Sequence, residues 1–369
     1  MNKTERTILK QLYRGQSLSR KELADNLSLS KTIVGKYINN FLQRGYLEEE
    51  KNLNGSIGKP QFNLTFHKNF IKILALQLKG ETIVSALGNF YGDLFDKKVI
   101  HLTKFSQENL LNNIFSLIES YINNFSIEVI SIGMNGIVDS DEGISLLSIP
   151  YNWNNLNLKK ILEEKFKISV VIDNGANLMA LREKKIGLGK DLNNFIIFNI
   201  DEGVGAGIIL NNKLHRGSKF EAGEIGHAPY DYSKDALICS CGNKGCLETY
   251  LSNWRVVNRV HKETNLLLSY EEIIQRANEG QEYFVELMFS LSKAISHGIL
   301  WTEYLLNPEA IIITGKITEA KDFFWKEVLR TLNNNLLNKN KNIHLIKSTY
   351  SSNSILQGAI YSGADYFFK

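Results

Sequence analysis

All three cysteines of the chain fall in one short run, Cys239-Ser240-Cys241-Gly242-Asn243-Lys244-Gly245-Cys246, and Glu224-Ile225-Gly226-His227 lies shortly before it. Three thiolates and one imidazole are the donor set that a tetrahedral structural zinc ion takes. Closely spaced cysteines in a reducing compartment point to metal rather than to a disulfide. His227, Cys239, Cys241 and Cys246 are therefore assigned to Zn2+, with two carboxylates, Glu224 and Glu248, on either side of the set.

Such a segment needs a body to hold it, and 369 residues with 43% hydrophobic content provide for two or three domains with sizeable cores. No apolar run is long enough to span a bilayer. The N-terminus, Met1-Asn2-Lys3-Thr4-Glu5-Arg6, runs into a helical pattern without the apolar core of a signal peptide, so the sequence reads as cytosolic. The charge is unevenly spread. Residues 1–60 hold 11 Lys and Arg against 6 Asp and Glu, whereas the remainder holds 32 against 33, which places the formal +4 in the first 60 residues. A small basic module on a near-neutral body is the footprint of a polyanion-binding head.

The local pattern says what kind of head. Thr7, Ile8, Leu9, Leu12 and Tyr13 form the apolar stripe of a first helix, which Gly15 ends. Ser19-Arg20-Lys21-Glu22 is a capping box that opens a short second helix, and Leu27-Ser28-Leu29 is a turn. Ser30 caps a third helix with Ile33, Val34, Tyr37, Ile38 and Leu42 inward, leaving Lys31, Thr32, Gly35, Lys36 and Asn39 outside. Short helix, tight turn and polar-faced helix make a helix-turn-helix. Tyr46-Leu47-Glu48 begins a strand, Asn54-Gly55 is a hairpin turn and Gln61–Leu64 returns, which makes a wing. The expected contacts to double-stranded DNA are Ser30, Lys31, Thr32 and Lys36 from the third helix and Lys51 and Lys59 from the wing. A three-helix protein-binding module is the plainer alternative.

From Ile71 onward strands and helices alternate: a meander over 71–102, a helix over 107–124, a strand over 127–132, then helix and strand by turns to a closing helix over 354–367. This order fits an α/β body of two sheet-and-helix lobes with a cleft between them. The expected division is a winged helix-turn-helix domain at 1–66 and a body at 67–369. Lobe 1 covers about 67–177 plus the C-terminal helix, and lobe 2 about 178–350 with the metal site. No Gly-, Pro- or Ser-rich linker separates head from body.

Glu221-Ala222-Gly223-Glu224-Ile225-Gly226-His227, the cysteine run through Leu247-Glu248, and Asp173-Asn174-Gly175-Ala176-Asn177 resemble the signature segments of the ROK family. That family joins sugar kinases and sugar-responsive repressors on an actin/hexokinase-like fold. The head and its Gly58-Lys59-Pro60 step resemble the repressor branch, xylose and N-acetylglucosamine repressors among them. The resemblance covers nearly the whole chain. It implies that the imidazole of His227 holds zinc through one nitrogen and faces a monosaccharide with the other, and that Asn174, Glu224 and Glu248 are hydroxyl partners. Amide and carboxylate groups suit vicinal hydroxyls. Asn135 stands where the family has a proline, at a further sugar-contacting position. A zinc clip with no ligand beside it is the plainer alternative.

The same resemblance tests for kinase chemistry, which needs a base at the accepting hydroxyl and a cradle for phosphates. The family's kinases place an Asp directly after the Asn, where this chain has Gly175. Their first phosphate loop, Asp-x-Gly-Gly-Thr, is Gln77-Leu78-Lys79-Gly80-Glu81 here; their second, Gly-Thr-Gly-x-Gly, is Asp201-Glu202-Gly203-Val204-Gly205; and their Gly-Gly adenosine turn is Thr314-Gly315-Lys316. Glu81 and Glu202 would aim negative charge at phosphate. Gly203, Gly205 and Gly207 read as tight-turn residues, and the other candidate bases, Asp139 and Asp173, do not align with the base position. The expected protein is no enzyme. It is a cytosolic, sugar-responsive regulator, a repressor in the first instance, that binds operator DNA as a homodimer or tetramer and in which closure of the lobes changes head spacing. The rivals are an ATP-dependent ROK-type sugar kinase with a DNA-binding head, and a regulator that answers to another protein.

Overall fold

The computed structural model describes residues 2–15, 17–51, 62–68, 70–102, 106–338, 342–349 and 351–369. The Asn54-Gly55 turn, Lys59 and the Gly58-Lys59-Pro60 step lie outside the described residues. The chain divides into two compact units. One is Met1–Ile132, Lys159–Val171 and Ala359–Lys369; the other is Gly133–Leu158 and Ile172–Gly358.

The first unit begins with α1 (Lys3–Gly15), β1 (Leu18–Ser19), α2 (Arg20–Leu27), α3 (Lys31–Gln43), β2 (Leu47–Lys51) and β3 (Phe62–Phe66). Ser19 and Glu22 form the reciprocal capping box, Ser28 takes the left-handed conformation that ends α2, and the Ser30 hydroxyl accepts from Ile33 N–H to start α3. The buried stripe of α3 is Val34, Ile38 and Phe41, whereas Ile33 is 44% exposed. The sequence reading that put Ile33 inside and overlooked Phe41 is thus corrected: positions 34, 38 and 41 follow the four- and three-residue steps of one helical face, and 33 lies off it. β3 pairs antiparallel with both β1 and β2, Leu64 opposite Leu18 and Phe66 opposite Leu47.

The head is bonded to the rest of its unit. After β3, His67 N–H donates to the Tyr46 carbonyl. The Tyr13 ring stacks on Phe368 with centroids 4.5 Å apart, and its hydroxyl donates to Asp365 Oδ1 at 2.7 Å. Burial and the neighbouring Asp365 push the Tyr13 phenol up, so it stays a donor. Phe66 meets Phe90 edge-on at 4.7 Å and Phe368 at 5.5 Å, and the Tyr91 hydroxyl donates to the Phe66 carbonyl.

The chain continues through β4 (Ile73–Lys79), β5 (Thr82–Gly88), β6 (Leu94–His101), α4 (Gln107–Ile122) and β7 (Val129–Met134), then β8 (Ile137–Asp139), β9 (Ile144–Ser148), β10 (Trp153–Leu156) and α5 (Leu158–Phe166). Next come β11 (Ser169–Asn174), α6 (Gly175–Ile186), β12 (Phe195–Ile200), β13 (Val204–Leu210) and β14 (Lys213–His215). The last part holds α7 (Glu248–Leu251), α8 (Asn253–Thr264), α9 (Tyr270–Asn278), α10 (Glu282–Leu306), β15 (Ala310–Thr314), α11 (Asp322–Asn335), β16 (Leu345–Lys347) and α12 (Ser354–Phe367). One five-stranded sheet has the order β11-β7-β4-β5-β6 and the other β14-β13-β12-β15-β16. In the second sheet β12 runs antiparallel to β13 and parallel to β15. Alternate residues of β12 face opposite sides: Ile196, Phe198 and Ile200 join the core that includes α8, α9, α10 and α11, while Phe195 and Ile197 pack with Met179 and Ala180 of α6. Residues of the short β8-β9-β10 sheet give no strand signal in the sequence, because Asp139, Ser145, Ser148, Asn154 and Asn155 break up any apolar run in strands this short. Among the described residues no helix is long and apolar enough to cross a membrane.

Replacing Tyr13 by Ala removes a ring stack and a hydrogen bond at the head seam and should cost about 2–4 kcal/mol. Denaturant unfolding should show a lowered midpoint; an unchanged midpoint would mean that the seam carries no stability.

Candidate functional site

The head presents one face of α3. Ser30, Lys31, Thr32 and Lys36 are exposed there together with Ile33 and Asn39, and Lys51 is exposed at the end of β2. Ile33 adds an apolar group that could meet a thymine methyl. Arg20 ties this face to the wing, donating from Nε to Glu49 at 2.9 Å and from a terminal nitrogen to Asn39 Oδ1 at 2.8 Å. The sequence reading puts Ile33 in the buried stripe and gives Arg20 no part beyond the capping box. An apolar residue at a helix start reads as core, and an arginine bridging two elements leaves no periodic trace.

In the second unit β13 brings the other candidates together. A Cβ on Gly207 would lie 2.2 Å from the Ala176 carbonyl oxygen, so α6 can lie on β13 only because that side chain is missing. Gly223 has φ +95°, and a Cβ there would lie 1.9 Å from the Ala206 oxygen. Gly205 and Gly207 are therefore strand residues, not the turn residues the sequence suggested, and Gly207 is the one that admits a close neighbour. Asn174 caps α6: its Oδ1 accepts from Ala176 N–H at 2.7 Å and its Nδ2 donates to the Gly136 carbonyl at 2.8 Å. The Asn135 carbonyl accepts from the Ser148 hydroxyl, which ties that loop to β9, and the Asn135 side chain is half-buried. Asp173 is buried. Its Oδ1 accepts from Asn174 N–H and Asn177 Nδ2, and its Oδ2 accepts from Arg216 Nε at 3.0 Å and a terminal nitrogen at 2.6 Å. Asp173 thus braces the Asn174 loop, in a pairing with Arg216 that the sequence did not signal. Asp139 Oδ1 accepts from the N–H groups of Asp141 and Glu142 within the β8–β9 turn.

Glu224, at the start of a short 3-10 turn over Ile225–His227, places Oε2 4.0 Å from His227 Nε2. Burial pushes its carboxyl above the ordinary range; the His227 imidazole opposes this, and Glu248 and Glu221 reinforce it. Glu248 begins α7, and its Oε2 accepts from Val204 N–H at 3.1 Å. Asn174, Glu224 and Glu248 are in this way all indexed to β13 or to the helix lying on it.

The ligand atoms of His227, Cys239, Cys241 and Cys246 lie within 4.8 Å of one another. His227 Nδ1 is 3.6 Å from Cys239 Sγ, and the sulfurs of Cys241 and Cys246 are 3.7 Å apart. With Zn–S of about 2.3 Å and Zn–N of about 2.05 Å, the edges of a tetrahedron are about 3.8 Å and about 3.6 Å, so the four residues fit such an ion. Burial and the neighbouring thiols push Cys246 up to about 12, so this thiol ionises readily only beside a cation. Nδ1 faces the sulfurs, which leaves Nε2 toward Glu224. Gly245, with φ +73°, permits the tight return: a Cβ there would lie 1.8 Å from the Asp231 oxygen, and its own carbonyl accepts from Tyr230 and Asp231 N–H.

The positions compared with kinase loops have structural occupations. Gly80 and Glu81 are the two-residue turn of the β4–β5 hairpin, since Lys79 pairs with Thr82. Asp201 N–H donates to the Gly203 carbonyl, and Glu202 is exposed. Gly315, at φ +111°, leads into Lys316, which is ion-paired with Glu271 of α9.

A winged helix-turn-helix head joined to an α/β body of actin/hexokinase-like fold defines the class of protein. The chain belongs to the ROK family, which it matches over residues 73–363, and residues 1–48 match the winged helix-turn-helix DNA-binding family. It is 29% identical over 345 residues to a xylose repressor of Caldicellulosiruptor bescii, covering 88% of this chain and 86% of that one. A crystal structure of a ROK family transcriptional regulator, homologous to the E. coli MLC protein, superposes with a TM-score of 0.81 at 24% identity, covering 95% of this chain and 92% of that chain. A glucokinase from Streptomyces griseus, solved with glucose and AMPPNP, superposes with a TM-score of 0.70 at 22% identity over 80% of this chain and 99% of its own.

Purified protein should hold one divalent ion per chain by elemental analysis, and Cys246→Ser should lower the metal content at least about tenfold. Full metal content in that variant would remove Cys246 from the ligand set.

Proposed function

We propose that this chain is a cytosolic, sugar-responsive transcriptional repressor that binds operator DNA as a homodimer and is released by a monosaccharide held at Asn174, Glu224, His227 and Glu248, with Asn135 at the rim. The observation that carries the reading is the pairing of an exposed cationic α3 face with hydroxyl-binding groups gathered around β13. Paired heads suit two half-sites of a palindrome, and one helix-turn-helix alone gives little affinity. Zinc at His227, Cys239, Cys241 and Cys246 would supply a fixed cation that orients the imidazole. His227 then offers Nε2, and the chain's own Glu224 and Glu248 accept from sugar hydroxyls. Xylose is the first effector to test, because proteins similar to this one over most of their length are named xylose repressors. Effector binding shifts an equilibrium between two forms by its differential affinity for them.

Phosphoryl transfer finds no support at the matching positions. Gly175 has no group to accept a proton, the Val204 N–H that could meet a phosphate is bonded to Glu248, and Glu202 adds negative charge beside it.

In a thermal-shift panel of monosaccharides we expect d-xylose to raise the melting temperature. In an operator titration at fixed salt it should weaken DNA binding by about 5-fold or more. Sugar binding with flat operator affinity would sink the regulatory reading, and coupled ADP release with any sugar would restore the kinase. Lys36→Ala should weaken operator binding and reduce the steepness of its salt dependence by about one phosphate contact. An unchanged affinity and salt slope would take Lys36 off the duplex.

A further inference from the structure

Gly175 is buried at the first position of α6, directly after Asn174, and a Cβ built on it would lie 3.1 Å from Ile355 Cδ1. Ile355 belongs to the first turn of α12. It is half-buried, packed against the cluster that holds Met179 and Ala180, so part of its side chain is still open. The Asn174 amide spends one hydrogen on the Gly136 carbonyl and one lone pair on Ala176 N–H, and keeps a donor and an acceptor for a ligand. Beside these, residue 175 supplies no side chain, and the direction one would take is filled by Ile355 Cδ1 at 3.1 Å and Cγ1 at 3.8 Å, with the Met134 carbonyl oxygen behind at 3.9 Å. A hydroxyl pressed onto that methyl would lose water there and gain no partner from Ile355, whereas a bare methylene would lose nothing.

We propose that Ile355, seated against Gly175, is a specificity-determining residue of the effector site, selecting a sugar whose ring edge at that point carries no hydroxyl. Among common aldoses in the pyranose form this edge is the C5 methylene of an aldopentose. An aldohexose bears a hydroxymethyl group on C5, which meets Ile355. The proposal rests on the reading of Asn174 as a hydroxyl partner and adds the residue that sorts pentose from hexose.

d-Xylose and d-glucose share ring-hydroxyl stereochemistry and differ at C5, so calorimetric titration of the full chain with each isolates this contact. The unaltered chain should prefer xylose by about 10-fold or more, the range in which an apolar pocket rejects an added polar group. Ile355→Val deletes the Cδ1 methyl alone and keeps the packing of the helix; Ile355→Ala opens the wall further. In both the preference should fall, by about 5-fold or more in the alanine variant. If Ile355→Ala does not fold, Ile355→Val decides. Equal affinity of the unaltered chain for the two sugars overturns the proposal. So does an unchanged ratio in the variants, or loss of both sugars from a folded variant; in those cases the proposed function stands on the xylose binding of the unaltered chain. Failure of the unaltered chain to bind any monosaccharide removes that function and this proposal together.

Discussion

The placing of Asn174, Glu224 and Glu248 depends on how closely the backbone of β13 can be approached. The first turn of α6 reaches it where Gly207 has no side chain, and the Gly223 backbone reaches it at Ala206. A Cβ on Gly226 would lie 2.1 Å from the Val204 oxygen, and Val204 N–H is the donor that fixes Glu248. Two segments, α6 and residues 223–226, are thus set against one strand by main-chain proximity, and Glu248 is tied to the same strand by its carboxylate. Strand periodicity makes this arrangement intolerant of slippage, since one residue of shift would exchange the two faces.

The cysteine run extends that constraint outward. Cys246 forms a bridge with Pro229 and Ile238 one with Lys244, so the ligand loops are short antiparallel returns. Leu247, fully buried, sits between the last thiol and Glu248. A metal ion here would have its effect two residues from a carboxylate already bonded to β13, and its imidazole ligand points the opposite nitrogen at Glu224. The four metal-ligating candidates, Glu224 and Glu248 lie in one stretch of covalent chain, and Asp173 and Arg216 brace the Asn174 loop.

Much of this was legible beforehand, for identifiable reasons. The helices of the head announce themselves by caps, and Ser19 with Glu22 and Ser30 with Ile33 are local bonds that sequence spacing encodes. The β15 strand falls where an unbroken apolar run put it, and the helices α11 and α12 fall where many turns of apolar period agree. The four metal-ligating candidates meet as spacing implied. What escaped has no local signature. Ile33 is exposed because of where the α3 stripe falls, Arg216 finds Asp173 across the fold, and the glycines of β13 look like turn formers until the helix lying on them is seen. The Ile355 contact with Gly175 joins positions far apart in the chain and could be found only in three dimensions.

The seam of Tyr13, Phe66, Phe90 and Phe368 has a consequence for how this molecule meets DNA. A head on a slack tether can swivel until its reading helix lies correctly in the groove, and it tolerates many orientations of what it is tied to. A head glued by stacked rings has no such freedom. Any misfit must then be absorbed by bending or twisting the duplex, at an energy set by the stiffness of base steps that no side chain touches. Choice of binding site would thus be written partly in aromatic residues that never come near a base.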